Sequence, residues 1–145
     1  MKQFIKETEI RWSDLDPNGH LRHSVYYDWG AYARVSFLNE QGLSPDRMME
    51  LHVGPVIFRE ECVFKREIRL GDTAAIQLEL VSARRDFSRW TVRHFIYKNE
   101  AVLAAVLTLD GAWIDTLKRK LTIPPPEAVK VFSEMPLAEG FKWTD

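Results

Sequence analysis

Apolar residues in this chain recur at helical spacing over one segment, at Tyr26, Trp29, Ala33 and Phe37, and at a spacing of two from Val56 onward. Those two periods constrain the fold more than any other feature, because side chains share a face every 3.6 residues on a helix and every second residue on a strand. Gly30 and Ala33 keep the helical stripe thin, so the helix can sink deep against a sheet. The helix is expected to run to about Gln41, with Gly42 as its left-handed stop. A short second helix should start at Ser44-Pro45-Asp46 and pass Met48 and Leu51 before Gly54-Pro55 breaks it.

Residues 3 to 12 alternate, with Phe4, Thr8, Ile10 and Trp12 opposite Glu7, Glu9 and Arg11, which predicts a half-exposed strand. Val56, Phe58, Cys62, Phe64 and Ile68 are expected to share one face of a long strand opposite Arg59, Glu61, Lys65, Glu67 and Arg69. Turn signals at Gly71-Asp72, Arg85 to Ser88 and Lys98 to Glu100 then separate two more alternating runs. Ala101 to Ile114 is apolar on both faces, as in a central strand covered from two sides. After a basic turn at Lys118 to Lys120 and three prolines, Glu127 to Phe132 reads as a short helix. A strand, a long helix and four strands joined by tight turns make an α+β domain with an antiparallel five-stranded sheet over one long central helix, filling residues 1–145 as a single unit.

With 46% hydrophobic and 28% charged residues the chain is globular, and a net charge of -1 gives no bulk attraction for nucleic acid or an anionic membrane. No segment is apolar enough to span a bilayer, and a single cysteine, Cys62, suits a reducing compartment. A cytoplasmic protein without nucleic-acid or membrane partners is expected, with Cys62 a structural thiol.

The chemistry-bearing stretch is Arg11 to Arg34, RWSDLDPNGHLRHSVYYDWGAYAR. It packs Asp14, Asp16, Pro17, Asn18, Gly19, His20 and His23 into a turn that runs into the helix. The first N–H groups of a helix have no intrahelical acceptor and attract negative charge, so this junction suits a developing anion. Asp14-x-Asp16-x-Asn18-Gly19 also opens like an EF-hand calcium loop, but the twelfth position, where a bidentate Glu is needed, is Val25. No zinc spacing is present, so no metal is expected. Asp14 reads as a turn or helix cap and His94 as a satisfied core residue.

The residues Asp14-x-Asp16-Pro17-x-Gly19, His23, Tyr26 and Ala33-Arg34 resemble the signature of hotdog-fold acyl-CoA thioesterases, the 4-hydroxybenzoyl-CoA thioesterase and YbgC-like group. That resemblance implies the hotdog fold and cleavage of an acyl-CoA, with an acyl carrier protein thioester as second choice. It implies no cofactor, and it implies a homodimer or homotetramer with active sites between subunits. By match, Asp16 is the catalytic carboxylate, as nucleophile or general base, and His23 marks the helix start that polarises the carbonyl. Asn18, Gly19, His20 and Tyr26 line the substrate. Arg84, Arg85 and Arg89 flank one turn, where guanidinium groups suit the phosphates of coenzyme A. The alternatives are a hotdog hydratase, whose D-x-N-P-x-H pattern Asp14 to His20 partly follows, and a non-catalytic acyl-CoA sensor.

Overall fold

In the computed structural model, which describes residues 3–145, helix α1 spans His23–Glu40. Its start is fixed by Arg22, whose Nε donates to Ser24 Oγ at 3.0 Å and whose Nη1 donates to the Ser13 carbonyl at 2.7 Å. Its end is the expected glycine stop: Gly42 has φ 94° and the Leu43 N–H reaches the Leu38 carbonyl at 2.8 Å. Helix α2, Pro45–Leu51, starts on Ser44, whose Oγ accepts the Arg47 N–H at 3.0 Å.

The main path of the sheet has the order β1-β3-β4-β5-β2, all neighbours antiparallel. These strands are β1 Ile5–Thr8, β2 Val53–Phe64, β3 Ala74–Ala83, β4 Arg89–Lys98 and β5 Val102–Asp115. Two strands are added to the five expected. β6, Lys120–Leu121, pairs with β5, and β7, Leu137–Trp143, follows helix α3, Pro126–Ser133, and runs parallel to β3. Gly140, at φ 83° inside β7, interrupts the alternation that would have marked it. β1 is shorter than its pattern because it shares the outer edge of β3: β1 covers Ala74 to Gln77, and β7 pairs with Leu80, Ser82 and Ala83. Trp12 lies beyond it, in a 3-10 turn over Trp12–Asp14.

β2 departs most from its sequence pattern. It starts at Val53 and absorbs Gly54-Pro55 instead of being preceded by them. Proline is tolerated there because β2 ends the path and need not donate every N–H to a neighbour. A bulge between Ile57 and Arg59 shifts the register, so the expected shared face dissolves: Phe58 is 53% and Phe64 50% exposed. Ile68, fully buried, lies past the strand end and accepts the Leu21 N–H on its carbonyl at 2.7 Å.

The core lies between the helices and one face of the sheet. Tyr26, Trp29 and Ala33 of α1 pack with Ile76 and Ile96. Phe37 and Leu38 pack with Leu78, Leu80, Trp113 and Phe132. Gly30 faces the Leu107 side chain so closely that a Cβ there would collide with it. His94 is fully buried in this layer, as expected. Its Nδ1 pairs with the Leu107 carbonyl at 3.1 Å and its Nε2 with Arg34 Nη1 at 3.2 Å. Since the carbonyl can only accept, Nδ1 carries the proton and Nε2 accepts from the guanidinium. Burial first, and the Arg34 charge second, push the imidazole pKa down to about 3.

A depressed histidine makes stability depend on pH. The unfolded chain binds a proton at His94 below its ordinary value near ~6.5, whereas the folded chain resists it until about 3, so stability falls as pH drops through that window. The urea midpoint should therefore decline from pH 7 to pH 5, above the range where carboxylates titrate. His94→Gln should flatten that slope. An unchanged slope in the variant would remove His94 as its source.

Candidate functional site

The two aspartates of the motif turn have different surroundings. Asp14 is 2% exposed and is enclosed by Arg11, which donates to it from its backbone N–H at 3.0 Å, from Nε at 3.2 Å and from Nη2 at 2.9 Å. The Arg11 side-chain bonds hold the Asp14 carboxyl below the usual carboxylate range. The Asp14 carbonyl accepts the Arg22 N–H at 2.7 Å, tying the turn to the residue before α1. This is the structural role expected of it.

Asp16 opens a small hairpin. Its Oδ1 accepts the N–H groups of Asn18 at 2.9 Å and His20 at 3.1 Å, and its own N–H donates to the His20 carbonyl at 2.7 Å. The Gly19 N–H donates to the Asp16 carbonyl at 3.0 Å, and Gly19 sits at φ 79°, where a side chain would be strained. Asn18 and Gly19 are thus exposed at the hairpin tip with their N–H groups engaged by Asp16.

Beside the hairpin is an open hollow of about 370 Å³, whose wall includes Asp16, His20, His23 and Tyr26. His23 is the exposed first residue of α1. Tyr26 is 3% exposed, its ring set edge-on to Phe64 at 4.9 Å between centroids. Burial, chiefly, pushes its phenol up to about 12, so the group is a hydrogen-bond donor at neutral pH. His20 is drawn aside: its Nε2 pairs with Glu67 at 2.9 Å, and Glu67 is also held by Arg69 at 2.8 Å.

The sequence reading missed Phe64, Lys65, Arg66 and Glu67, which the end of β2 and the following loop bring to this hollow. Their only signal was the Lys65-Arg66 pair, which reads as a solvated strand end. Arg84, Arg85 and Arg89 do not join the hollow in the same chain. They are exposed at the β3–β4 hairpin, Arg85 over the Trp143 ring at 5.3 Å and Arg89 over Phe58 at 4.8 Å. Arg89 pairs with Ala112 of β5 and Phe64 with Ala105, so the two ends are roughly 23 Å apart at the rise of a strand. Among the described residues no three His, Cys, Asp or Glu side chains gather as a metal site, and no helix is long and apolar enough to cross a membrane.

A family model described as the thioesterase-like superfamily matches residues 10–132. A curated relative from Aquifex aeolicus, provisionally named an esterase, is 23% identical over 105 residues, which cover 72% of this chain and 80% of the relative. A Staphylococcus aureus protein solved in complex with CoA aligns at TM-score 0.86 and 17% identity, over 93% of this chain and 84% of its own. A 1,4-dihydroxy-2-naphthoyl-CoA thioesterase from Synechocystis aligns at TM-score 0.81 and 19% identity, over 91% and 96%. At these identities the structural matches establish a shared fold, the hotdog, with its curled antiparallel sheet.

The different surroundings of the two aspartates separate their effects on folding. Asp14→Asn removes a charged acceptor from three Arg11 donors and should lower the melting temperature by about 2–4 °C. Asp16→Asn keeps an amide oxygen for both backbone N–H groups, so its melting curve should overlay the parent's. Equal losses in calorimetry would contradict that division.

Proposed function

The chain belongs to the thioesterase-like superfamily, and from that membership we propose that it hydrolyses an acyl-CoA thioester to a carboxylic acid and free CoA. The observation that carries the reading is the position of Asp16, fixed by two backbone N–H groups on the wall of a hollow shared with His23, where α1 begins, and the Tyr26 side chain. With Oδ1 committed to the hairpin, Oδ2 is the oxygen that faces the reaction. The N–H groups of the first turn of α1, at His23, receive the carbonyl oxygen and stabilise the charge that develops on it. The protonated Tyr26 phenol adds a donor to the same hollow. α1 takes the part of the central helix of the hotdog fold, which its buried stripe from Val25 to Leu38 supports.

Two routes share this geometry. As nucleophile, Asp16 Oδ2 bonds to the acyl carbon, the C–S bond breaks, CoA leaves as thiolate, and water then cleaves the mixed anhydride. As general base, Asp16 takes the proton of a water that attacks the same carbon, and that proton passes to the departing sulfur.

The site is assembled by two copies of the chain. β2 ends the sheet path, with Ile57, Phe58, Val63 and Phe64 exposed along it, which is the edge a second copy can extend. Antiparallel pairing of two β2 strands sets the Phe64 end of one against the Val53 end of the other. That pairing carries Arg89 of one copy, stacked on its own Phe58, toward Asp16 of the other. Lys65 and Arg66 on the near side, and Arg84, Arg85 and Arg89 from across the seam, then face the coenzyme phosphates.

Asp16→Asn should lower thiol release by about 10²–10⁴-fold with the fold intact. Label recovered in Asp16 after a single turnover in ¹⁸O-water would establish the nucleophilic route, since only water attack on the Asp16 side of a mixed anhydride delivers it. Hydrolysis by the variant within a few-fold of the parent would remove Asp16 from the mechanism.

Val63→Lys places a charge on the seam, so light scattering should register a dimer for the parent and a monomer for the variant, with acyl-CoA hydrolysis lost in the monomer. A monomeric parent would end the two-copy site.

A further inference from the structure

A second cavity, of about 140 Å³, lies farther along α1, between Ala31, Val35 and Leu38 of that helix and Pro55 and Ile57 of β2, with Phe132 of α3 on its wall. Resting on the acyl-CoA hydrolase reading, we propose that this cavity receives the acyl group of the thioester and restricts it to a neutral group about the size of one six-membered ring. A dry apolar cavity of ~150 Å³ holds one benzene molecule, so this volume suits a ring or a short branched chain and leaves no room for a long alkyl tail.

The wall decides the chemistry of the guest. Its one charged side chain, Arg34, is already engaged, by His94 Nε2 at 3.2 Å and by Glu60 Oε2 at 3.8 Å. The guanidinium is therefore compensated from within the protein, and a carboxylate on the guest would leave water for a wall of apolar side chains with no free counter-charge. An uncharged ring fits, and a dicarboxylic acyl group does not.

The cavity and the Asp16 hollow both lie between α1 and β2. Between α1 and β2 the sequence of contacts runs from Tyr26 and Phe64, through Arg34 and Glu60, to Val35 and Ile57. From Tyr26 to Val35 the helix rises about 13 Å, farther than a ring-bearing acyl group reaches from its own carbonyl. Antiparallel pairing of two β2 strands brings the Val53-to-Ile57 half of one copy beside the Phe64 end of the other. The cavity of each copy thereby serves the Asp16 of its neighbour.

The test uses thioether ketone analogues of acyl-CoA, in which no acyl bond can be hydrolysed, measured by calorimetry on the full chain. Phenacyl-CoA should bind the parent about tenfold or more tightly than the methyl ketone analogue, and more tightly than one with a sixteen-carbon tail. Ala31→Phe and Val35→Phe each fill the cavity with a new side chain and should abolish that preference while CoA itself binds as before. The monomeric Val63→Lys should also bind without ring preference. A preference that survives both filled variants, or tighter binding of the long tail, overturns the pocket, and a ring preference in the monomer overturns its assignment to the neighbouring copy. Ring preference in a parent that releases no thiol from benzoyl-CoA would instead sink the hydrolase reading and leave the pocket standing.

Discussion

The close approach of α1 to β5 at Gly30 governs how the helix, the sheet and the motif turn meet. Leu107 occupies the space a side chain at position 30 would need, and Ala33 beside it is fully buried. With no bulk at these two positions the helix axis settles close to the sheet, as interior packing density demands. The depth of the helix then sets the rest. Arg34, four residues past Gly30, comes within hydrogen-bond reach of His94 on β4, and Tyr26, one turn before it, packs its ring on Phe64 at the end of β2. The start of α1 is held there by the bonds Arg22 makes to Ser13 and Ser24, so the hairpin bearing Asp16 is placed relative to β2 as well as to the helix.

Asp14 and Asp16 illustrate how identical side chains two residues apart acquire separate roles. Asp14 is buried beneath the exposed Arg11, which neutralises it and donates to both of its oxygens, so it has little left to offer a ligand. Asp16 spends one oxygen on backbone N–H groups of its own hairpin and lines the hollow. Backbone donors hold a carboxylate in place without cancelling its charge through a counter-ion, which suits the role proposed for Asp16. His20 loses its freedom to Glu67, whereas the exposed His23 stands at the first turn of the helix.

β2 is the strand least explained by the packing of a single chain. A proline, a bulge and four exposed apolar side chains on one edge strand are poorly explained by the packing of one chain, because Phe58 and Phe64 gain little from burial in it. They fit the two-copy assembly proposed above, and both the Asp16 hollow and the apolar cavity include residues of that strand.

The sequence alone determined the long helix and its glycine stop, the serine cap of α2, and β3, β4 and β5, because each rests on local signals: a period, a turn residue or a capping side chain. It also marked Asp14 as structural and His94 as a core residue, and its motif singled out Asp16. It could not supply the exposed faces of β2, the shortened β1 or the parallel β7, since each depends on which strand lies alongside. For the same reason it did not bring Phe64, Lys65, Arg66 and Glu67 to Asp16, and it gave no hint that Arg84, Arg85 and Arg89 sit at the far end of the same sheet. Periodicity reports which way a side chain points from its own backbone, whereas neighbours across a sheet are chosen by burial summed over the whole chain, and only the tertiary structure carries that sum.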